Sequence, residues 1–316
     1  MQKNETYKIV KFSVASNAVL TLGKLVAGII TGSIAIVSEA VHSLIDLVAA
    51  LIAYFAVRKA SQPADRIHQY GYGKFENISG TIEGLLIFAA AIYIVYRAVE
   101  KLFKPDPLDM PIIGVIIMLT SAVVNFLVSK KLFVVARENE SLAAEADAWH
   151  LRTDVYTSLG VTAALVVITI SKRLFPALNI YWADSLAAFI IAVMITKAAW
   201  NLVIKSAEDL FDVSLPQNEI AVVESIIKSN EDIAGFHALK TRKAGNKRFI
   251  EFHILVNSQM TVYMSHEITR DLKAGIFSKL ENASVTIHVE PCDNTCTLKC
   301  QTGCLVKKRK IENIKK

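Results

Sequence analysis

Six stretches of the chain are almost continuously apolar, and each is long enough to cross a membrane as a helix. A membrane-spanning helix needs roughly 20 mostly apolar residues. The fourth stretch is the clearest, because no charged residue lies between Asp109 and Lys130. Residues typical of turns, such as Gly, Pro and Asn, separate the stretches. The pattern predicts an all-α membrane domain, a six-helix transmembrane bundle with spans near 10–31, 36–59, 78–100, 110–130, 145–171 and 180–204.

The pattern changes after residue 206 to that of a smaller, more polar domain. Apolar positions at helical spacing and alternating runs predict the order α-β-β-α-β, with Ala244-Gly245-Asn246 as a hairpin turn. This order is typical of an α+β fold with helices on one face of a small sheet. The predicted elements are a helix at 216–230, strands at 234–242 and 248–256, a helix at 262–280 and a strand at 284–290. We divide the chain into a spanning domain (1–206), an α+β domain (207–291) and a Cys- and Lys-rich tail (292–316).

Composition narrows the class of protein further. Hydrophobic residues make up 53% of the 316 residues and charged residues only 20%, which excludes a simple soluble enzyme and a disordered or fibrous chain. The net charge of +6 is spread too evenly to indicate a nucleic-acid-binding arm. The lysine-rich C-terminal end either contacts anionic membrane lipid or is a solvated tail.

Lys and Arg are unevenly distributed between the two ends of the predicted spans. Ten lie in the N-terminal segment and in the loops at 58–75 and 130–137, against four or five at the opposite ends. Positive residues favour the cytoplasmic side. We therefore expect a multi-pass protein of the cell (inner, plasma) membrane with both termini in the cytoplasm. The cysteines would then be reduced thiols.

Two of the apolar spans contain the same polar motif. His42 and Asp46 in the second span, and His150 and Asp154 in the fifth, are each separated by four residues. This spacing places both side chains on one face of a helix. Ionisable groups inside a membrane are costly and therefore mark function. Two such faces brought together offer two nitrogens and two carboxylates, a tetrahedral set that suits Zn²⁺; the alternative is two independent helix-stabilising pairs. Among other polar residues in the spans, Glu39 and Asp184 are candidates to line an ion path.

On these residues the chain resembles the cation diffusion facilitator family, in particular its bacterial YiiP-type zinc transporters. The second-to-third-span loop, PADRIHQYGYGKFE at 63–76, also matches the family's D-x-x-H-x-x-x-H-G-K loop, except that Tyr72 replaces the final His. The resemblance covers nearly the whole chain apart from the tail. It implies a homodimer, not an enzyme, that exports divalent cations from the cytoplasm in exchange for protons by alternating access. Zn²⁺ is the favoured metal because the transport set is rich in nitrogen, with Cd²⁺, Co²⁺, Fe²⁺ and Ni²⁺ as further candidates.

The resemblance also implies a metal site in the loop, a salt bridge between the domains and a particular fold for the C-terminal domain. Asp65 and His68 would form a loop metal site, but with Tyr72 beside them only two protein ligands remain, which favours a structural loop or a weak site. Lys74 matches a family lysine that pairs with an acidic residue below the sixth span. Glu208, Asp209 and Asp212 are the candidate partners, and we expect Asp209 to be the one. The α+β domain resembles the family's ferredoxin-like, metallochaperone-like domain.

Four of the seven histidines lie in this C-terminal domain. A lone His on a strand is usually structural, but Glu290 lies two residues after His288 on the same strand face. The spacings match the family's cytoplasmic zinc site, which implies a regulatory or structural Zn²⁺ between the two halves of a dimer. The expected ligands are His237, His253, His266, His288 and Glu290.

The tail carries all four cysteines at intervals of four residues, at Cys292, Cys296, Cys300 and Cys304. They would form one stripe on a helix or wrap a soft metal as a loop; the alternative is solvated thiols. Two other functions remain open for the whole chain. One is a non-transporting metal sensor or scaffold on the same fold. The other is an intramembrane metalloenzyme, which is disfavoured because no H-E-x-x-H motif or nucleophile elbow is present.

Overall fold

The computed structural model describes residues 2–31, 34–103, 112–174, 182–292 and 303–306. The chain forms two compact units, Met1–Glu208 and Asp209–Lys316. The first unit is helical, and the second combines helices with a sheet.

In the described part of the chain, the first unit consists of six long helices. Each has 27 to 33 residues, which is more than the roughly 20 that a membrane crossing requires. Among the described residues, four of them (α1, α3, α4 and α6) are long and apolar enough to cross a membrane by length and composition. The predicted helical membrane unit is confirmed, whereas spanning by α2 and α5 stays a prediction. The helices are α1 (Gln2–Thr31), α2 (Ile34–Ala60), α3 (Lys74–Phe103), α4 (Ile112–Asn139), α5 (Leu142–Leu174) and α6 (Trp182–Leu210).

Helix α5 packs against α2, α3 and α4, so its polar residues lie inside the unit. Small side chains allow this close approach: Ala143, Ala144 and Ala148 of α5 are fully buried in a cluster with residues of α1, α2 and α4. Helix α3 also contacts α6. A Cβ atom at Gly84 would lie 2.7 Å from the Val203 Cγ2 atom, so a larger residue there would push the two helices apart.

The second unit has the predicted order α-β-β-α-β, which confirms the α+β domain. Strand β2 is central: it pairs antiparallel with β1 and parallel with β3. The hairpin between β1 and β2 turns at Gly245, whose φ of 58° suits a residue without a Cβ atom. The third strand is longer than the predicted 284–290. The elements are α7 (Gln217–Ser229), β1 (Gly235–Ala244), β2 (Lys247–Asn257), α8 (Val262–Lys279) and β3 (Ala283–Cys292).

The two faces of β2 have different roles. Phe252 and Ile254 are fully buried in a core with Val223 of α7 and Ile276 of α8, so both helices cover this face. Because side chains alternate along a strand, His253 lies on the opposite face. The sheet therefore separates the hydrophobic core from the face that carries the predicted ligands.

A short segment of the tail returns to the edge of this sheet. Cys304 bridges Gly235 of β1, and the Leu305 backbone N–H donates to the Ala234 carbonyl oxygen at 2.9 Å. The Leu305 side chain is only 5% exposed and belongs to the core. A Cβ atom at Gly303 would collide with the Phe236 carbonyl oxygen. Residues 303–306 are therefore held against β1 by both hydrogen bonding and burial.

Candidate metal centres

The structure brings the two His–Asp pairs of the first unit together. His150 Nε2 lies 3.1 Å from Asp46 Oδ1, which joins α5 to α2, and His42 Nε2 lies 4.0 Å from the same oxygen. One ligand atom from each of His42, Asp46 and Asp154 lies within 4.8 Å of the other two. We call His42, Asp46, His150 and Asp154 the tetrad. Two imidazoles and two carboxylates converge here from two helices.

The tetrad is enclosed on one side and open on the other. The Asp46 and His150 side chains are only 8% and 13% exposed, whereas the His42 side chain is 56% exposed. Carboxylates and imidazoles in this arrangement can hold a divalent cation or protons. His42 thus forms the exposed side of the tetrad, next to the buried carboxylate of Asp46.

Two further residues adjoin the tetrad that the sequence pattern did not identify. The Asn125 amide of α4 lies 3.5 Å from Asp154 Oδ2 and donates to it. Lys24 of α1 is buried, with its Nζ 2.6 Å from the Ser43 Oγ, and its charge acts on both Asp46 and Asp154. Single polar residues in apolar spans were visible in the sequence, but without a repeated motif nothing linked them to the tetrad.

The loop between α2 and α3 shows why Tyr72 matters. Its hydroxyl donates to Asp65 Oδ2, and the backbone N–H groups of Ile67 and His68 donate to Asp65 Oδ1 at 2.9 and 2.6 Å. These bonds, led by that from Tyr72, lower the pKa of Asp65 to about 2. The His68 Nδ1 lies 3.6 Å from Asp65 Oδ1, and the carboxylate is already engaged by three donors. The geometry favours a structural loop.

The second unit contains a compact group of imidazoles around one carboxylate. Glu290 Oε1 of β3 lies 2.7 Å from His253 Nδ1 of β2, and Glu290 Oε2 lies 3.3 Å from His237 Nε2 of β1. Glu290 Oε1 is also 3.7 Å from the more exposed His288 Nε2. The three histidines occupy one row, because His237 pairs with His253 and His253 with His288. We call His237, His253 and Glu290 the sheet cluster; their ligand atoms lie within 4.8 Å of one another.

A bulge in β1 orients the first of these histidines. The pairing register shifts between His237 and Lys240, and Ala238 has a φ of 52°. A left-handed backbone is unfavourable for a residue with a Cβ atom, and β-bulges are common beside functional sites because they redirect a side chain. The strained Ala238 immediately follows the histidine that faces Glu290.

Other predicted site residues are placed apart from these clusters or are not described. His266 is exposed on α8 and makes no hydrogen bond or ion pair with the sheet cluster within the described parts of the chain. Cys292 ends β3 and Cys304 bridges Gly235 of β1, so the two ends of the tail stripe lie at opposite edges of the sheet. Lys74 and Asp209 belong to different units, and their salt bridge stays a prediction. Cys296, Cys300 and the side chains of Glu39 and Asp184 lie outside the described residues.

Comparison with known proteins covers nearly the whole chain. Residues 10–211 match the cation efflux transmembrane domain, and residues 215–292 match the cytoplasmic domain of cation efflux proteins. An uncharacterized transporter of Synechocystis sp. is 34% identical over 88% of both chains. The cation-efflux pump FieF of Shewanella oneidensis is 30% identical over 88% of this chain and 92% of its own. The metal-bound C-terminal domain of the CzcD transporter from Thermotoga maritima is 27% identical, with a TM-score of 0.24, over 25% of this chain and 94% of that domain.

Proposed function

Because this chain belongs to the cation diffusion facilitator family, whose members are cation efflux transporters of the membrane and not enzymes, we propose that it exports Zn²⁺ from the cytoplasm in exchange for protons. The proposed transporter is a homodimer in the inner membrane with both termini in the cytoplasm. Cd²⁺, Co²⁺, Fe²⁺ and Ni²⁺ are the alternative cargoes.

The observation that carries this proposal is the convergence of the tetrad from α2 and α5. Two nitrogen and two carboxylate ligands favour Zn²⁺ over harder cations such as Mn²⁺. These ligands bind a metal only when deprotonated, so metal and protons compete for the same four side chains. If the tetrad faces the two sides of the membrane in turn, this competition drives metal outward as protons move inward.

The second unit supports a regulatory role for metal on the cytoplasmic side. The sheet cluster offers two imidazoles and one carboxylate, one ligand short of a closed tetrahedral zinc site. His266 is exposed on its own chain, so in the proposed homodimer it contributes from the second copy. Zn²⁺ bound there would tighten the dimer and bias the transport equilibrium through their coupling free energy. The proposed domains are therefore an ion-moving unit, a metal-sensing unit and a tail of reduced thiols.

Flux measurements on reconstituted protein test this function. Purified chain in vesicles with an imposed pH gradient should move Zn²⁺, and Asp154→Ala should abolish the movement. Glu145→Ala is the matched control, since Glu145 lies on the same helix but its carboxylate pairs with Lys205 at 2.6 Å. Absence of gradient-driven Zn²⁺ flux in the parent chain, or flux that survives Asp154→Ala, would refute the proposal.

The sheet cluster also keeps a second function open, that of a metal sensor or scaffold that does not transport. The two functions differ in their dependence on the tetrad. A sensor would preserve the metal tolerance of cells after His42→Ala with His150→Ala, whereas an exporter would lose it. Substitution of His253 has the opposite pattern, because it would disable a sensor and leave an exporter with residual flux.

A further inference from the structure

A second pair of carboxylates is buried in the first unit, apart from the tetrad. Glu83 of α3 has no exposed surface, and Asp147 of α5 is only 1% exposed. The two carboxyl groups are close enough to act on each other electrostatically. Ser79, one turn earlier on α3, donates to Glu83 Oε1 at 2.8 Å. Glu83 Oε2 and both oxygens of Asp147 are buried without a hydrogen-bond partner among the described residues.

Helix α1 directs polar side chains to the same place. The Ser13 hydroxyl faces Asp147, and Asn17 lies one turn further along the same helix face. Ser13 and Asn17 are 0% and 4% exposed. The Ser13 Oγ and the Asn17 Nδ2 are also unpartnered in the described part of the chain. Three helices thus supply buried polar groups whose hydrogen-bonding capacity is unused.

The position of this pair relates it to the tetrad. Asp147 precedes His150 by three residues and Asp154 by seven, so all three share one face of α5. With a rise of about 1.5 Å per residue, Asp147 lies roughly 4.5 Å from His150 along the helix axis. The start of α5 is the cytoplasmic end in the proposed orientation. Asp147 therefore lies between the cytoplasm and the tetrad.

Two buried carboxylates are costly when, among the described residues, three of their four oxygens have no hydrogen-bond partner. We propose that Glu83 and Asp147 form a second binding site for the divalent cation, at which the metal is held before it passes to the tetrad. Carboxylate and hydroxyl oxygens are the donors, with water completing the shell. An all-oxygen site binds Zn²⁺ more weakly than one that contains imidazole. The metal is thus held loosely at Glu83 and Asp147 and more tightly at the tetrad.

This inference rests on the proposed export function, and its test separates the two. In proteoliposomes of phosphatidylethanolamine and phosphatidylglycerol, Zn²⁺ flux is measured against concentration for the Glu83→Gln/Asp147→Asn double variant. Loss of the site at Glu83 and Asp147 should raise KM about tenfold and leave kcat within about twofold. The matched control is Glu145→Gln, which removes the same charge two residues from Asp147 and should leave both constants unchanged.

A binding measurement gives an answer that does not depend on transport. In the full chain with Asp46→Ala and Asp154→Ala, Cd²⁺ bound at equilibrium is counted by dialysis, and adding Glu83→Gln/Asp147→Asn should lower the count by one per chain. An unchanged count overturns the inference, as does a fall in kcat at constant KM, which would indicate a proton store or a packing role. If the double variant does not run as a single species in gel filtration, Asp147→Asn alone serves both measurements. A parent chain without flux refutes the export function, and the Cd²⁺ count then decides this site.

Discussion

Glu290 is the residue whose replacement should most weaken metal binding by the second unit. Its carboxylate contacts His253 at 2.7 Å and His237 at 3.3 Å, so it both supplies a ligand and holds two imidazoles in place. Glu290→Gln keeps the shape and removes the charge. A hydrogen bond to a charged group contributes about 1.5–3 kcal/mol. Since the side chain is 30% exposed, we take about 2 kcal/mol, which corresponds to a roughly 30-fold weaker Kd.

Isothermal titration with Zn²⁺ measures this loss if the tetrad is disabled. The full chain with Asp46→Ala and Asp154→Ala provides the background, and Glu290→Gln is compared with Glu251→Gln. Glu251 is the matched control, because it is exposed on β2 two residues before His253 and on the same face of the sheet. Both substitutions remove one negative charge from that face.

The two results together decide whether ligation by Glu290 or the general negative charge of the sheet face determines the Kd for Zn²⁺. We expect the Kd to rise only for Glu290→Gln. If Glu251→Gln weakens binding equally, general electrostatic attraction rather than ligation explains the effect. If neither variant changes the Kd, the sheet cluster is not the metal site of the second unit.

Three further perturbations test other parts of the structure. Tyr72→Phe removes the main cause of the low pKa of Asp65, so the pKa of this carboxylate in the folded loop rises towards its ordinary value. The stability that the lowered pKa adds to the loop is fully present above 3.8 and is lost as pH falls through about 2. Amide hydrogen exchange of residues 61–73 should therefore be faster in the variant than in the parent at pH 6, and this difference should shrink at about pH 2; equal exchange at pH 6 would contradict the role of Tyr72. Lys24→Met removes a buried cation beside the tetrad and should lower the KM for Zn²⁺ roughly three- to tenfold, whereas a higher KM would show that Lys24 assists binding. Ala238→Gly relieves the left-handed backbone in β1 and should stabilise the fragment 209–316 by about 0.5–1 kcal/mol in urea unfolding followed by circular dichroism; a loss of stability would contradict the strain.

The sequence was most informative where a motif and a helix period coincide. His42 and Asp46 could be placed on one face because four residues make about one helical turn, and the repeated spacing in α5 indicated a partner face. On β3, the two-residue step from His288 to Glu290 placed both side chains on one strand face for a similar reason, whereas His237 and His253 were added from their match to the family's cytoplasmic zinc site. In both cases local periodicity determines which side chains point the same way.

Contacts between elements that are distant along the chain could not be predicted from the sequence. Asn125 and Lys24 adjoin the tetrad only because α4 and α1 pack beside α5 and α2 with a particular rotation. The bond from Tyr72 to Asp65 depends on how the loop closes, although the missing histidine could be seen. No glycine in the sequence indicates the bulge at Ala238. The pairing of β1 with β2 imposes the strained backbone on an alanine there.

The return of residues 303–306 to β1 has a consequence for how copies of this protein can associate. An uncovered outer strand presents unpaired N–H and C=O groups that readily recruit a strand from another molecule. Here the Leu305 N–H and the Cys304 bridge pair with backbone groups at the start of the edge strand β1. Copies are therefore hindered from joining strand to strand at this end of β1, and continuous intermolecular sheets, the first step towards aggregation, are discouraged there. A chain truncated after Cys292 would lose this protection while keeping the sheet cluster.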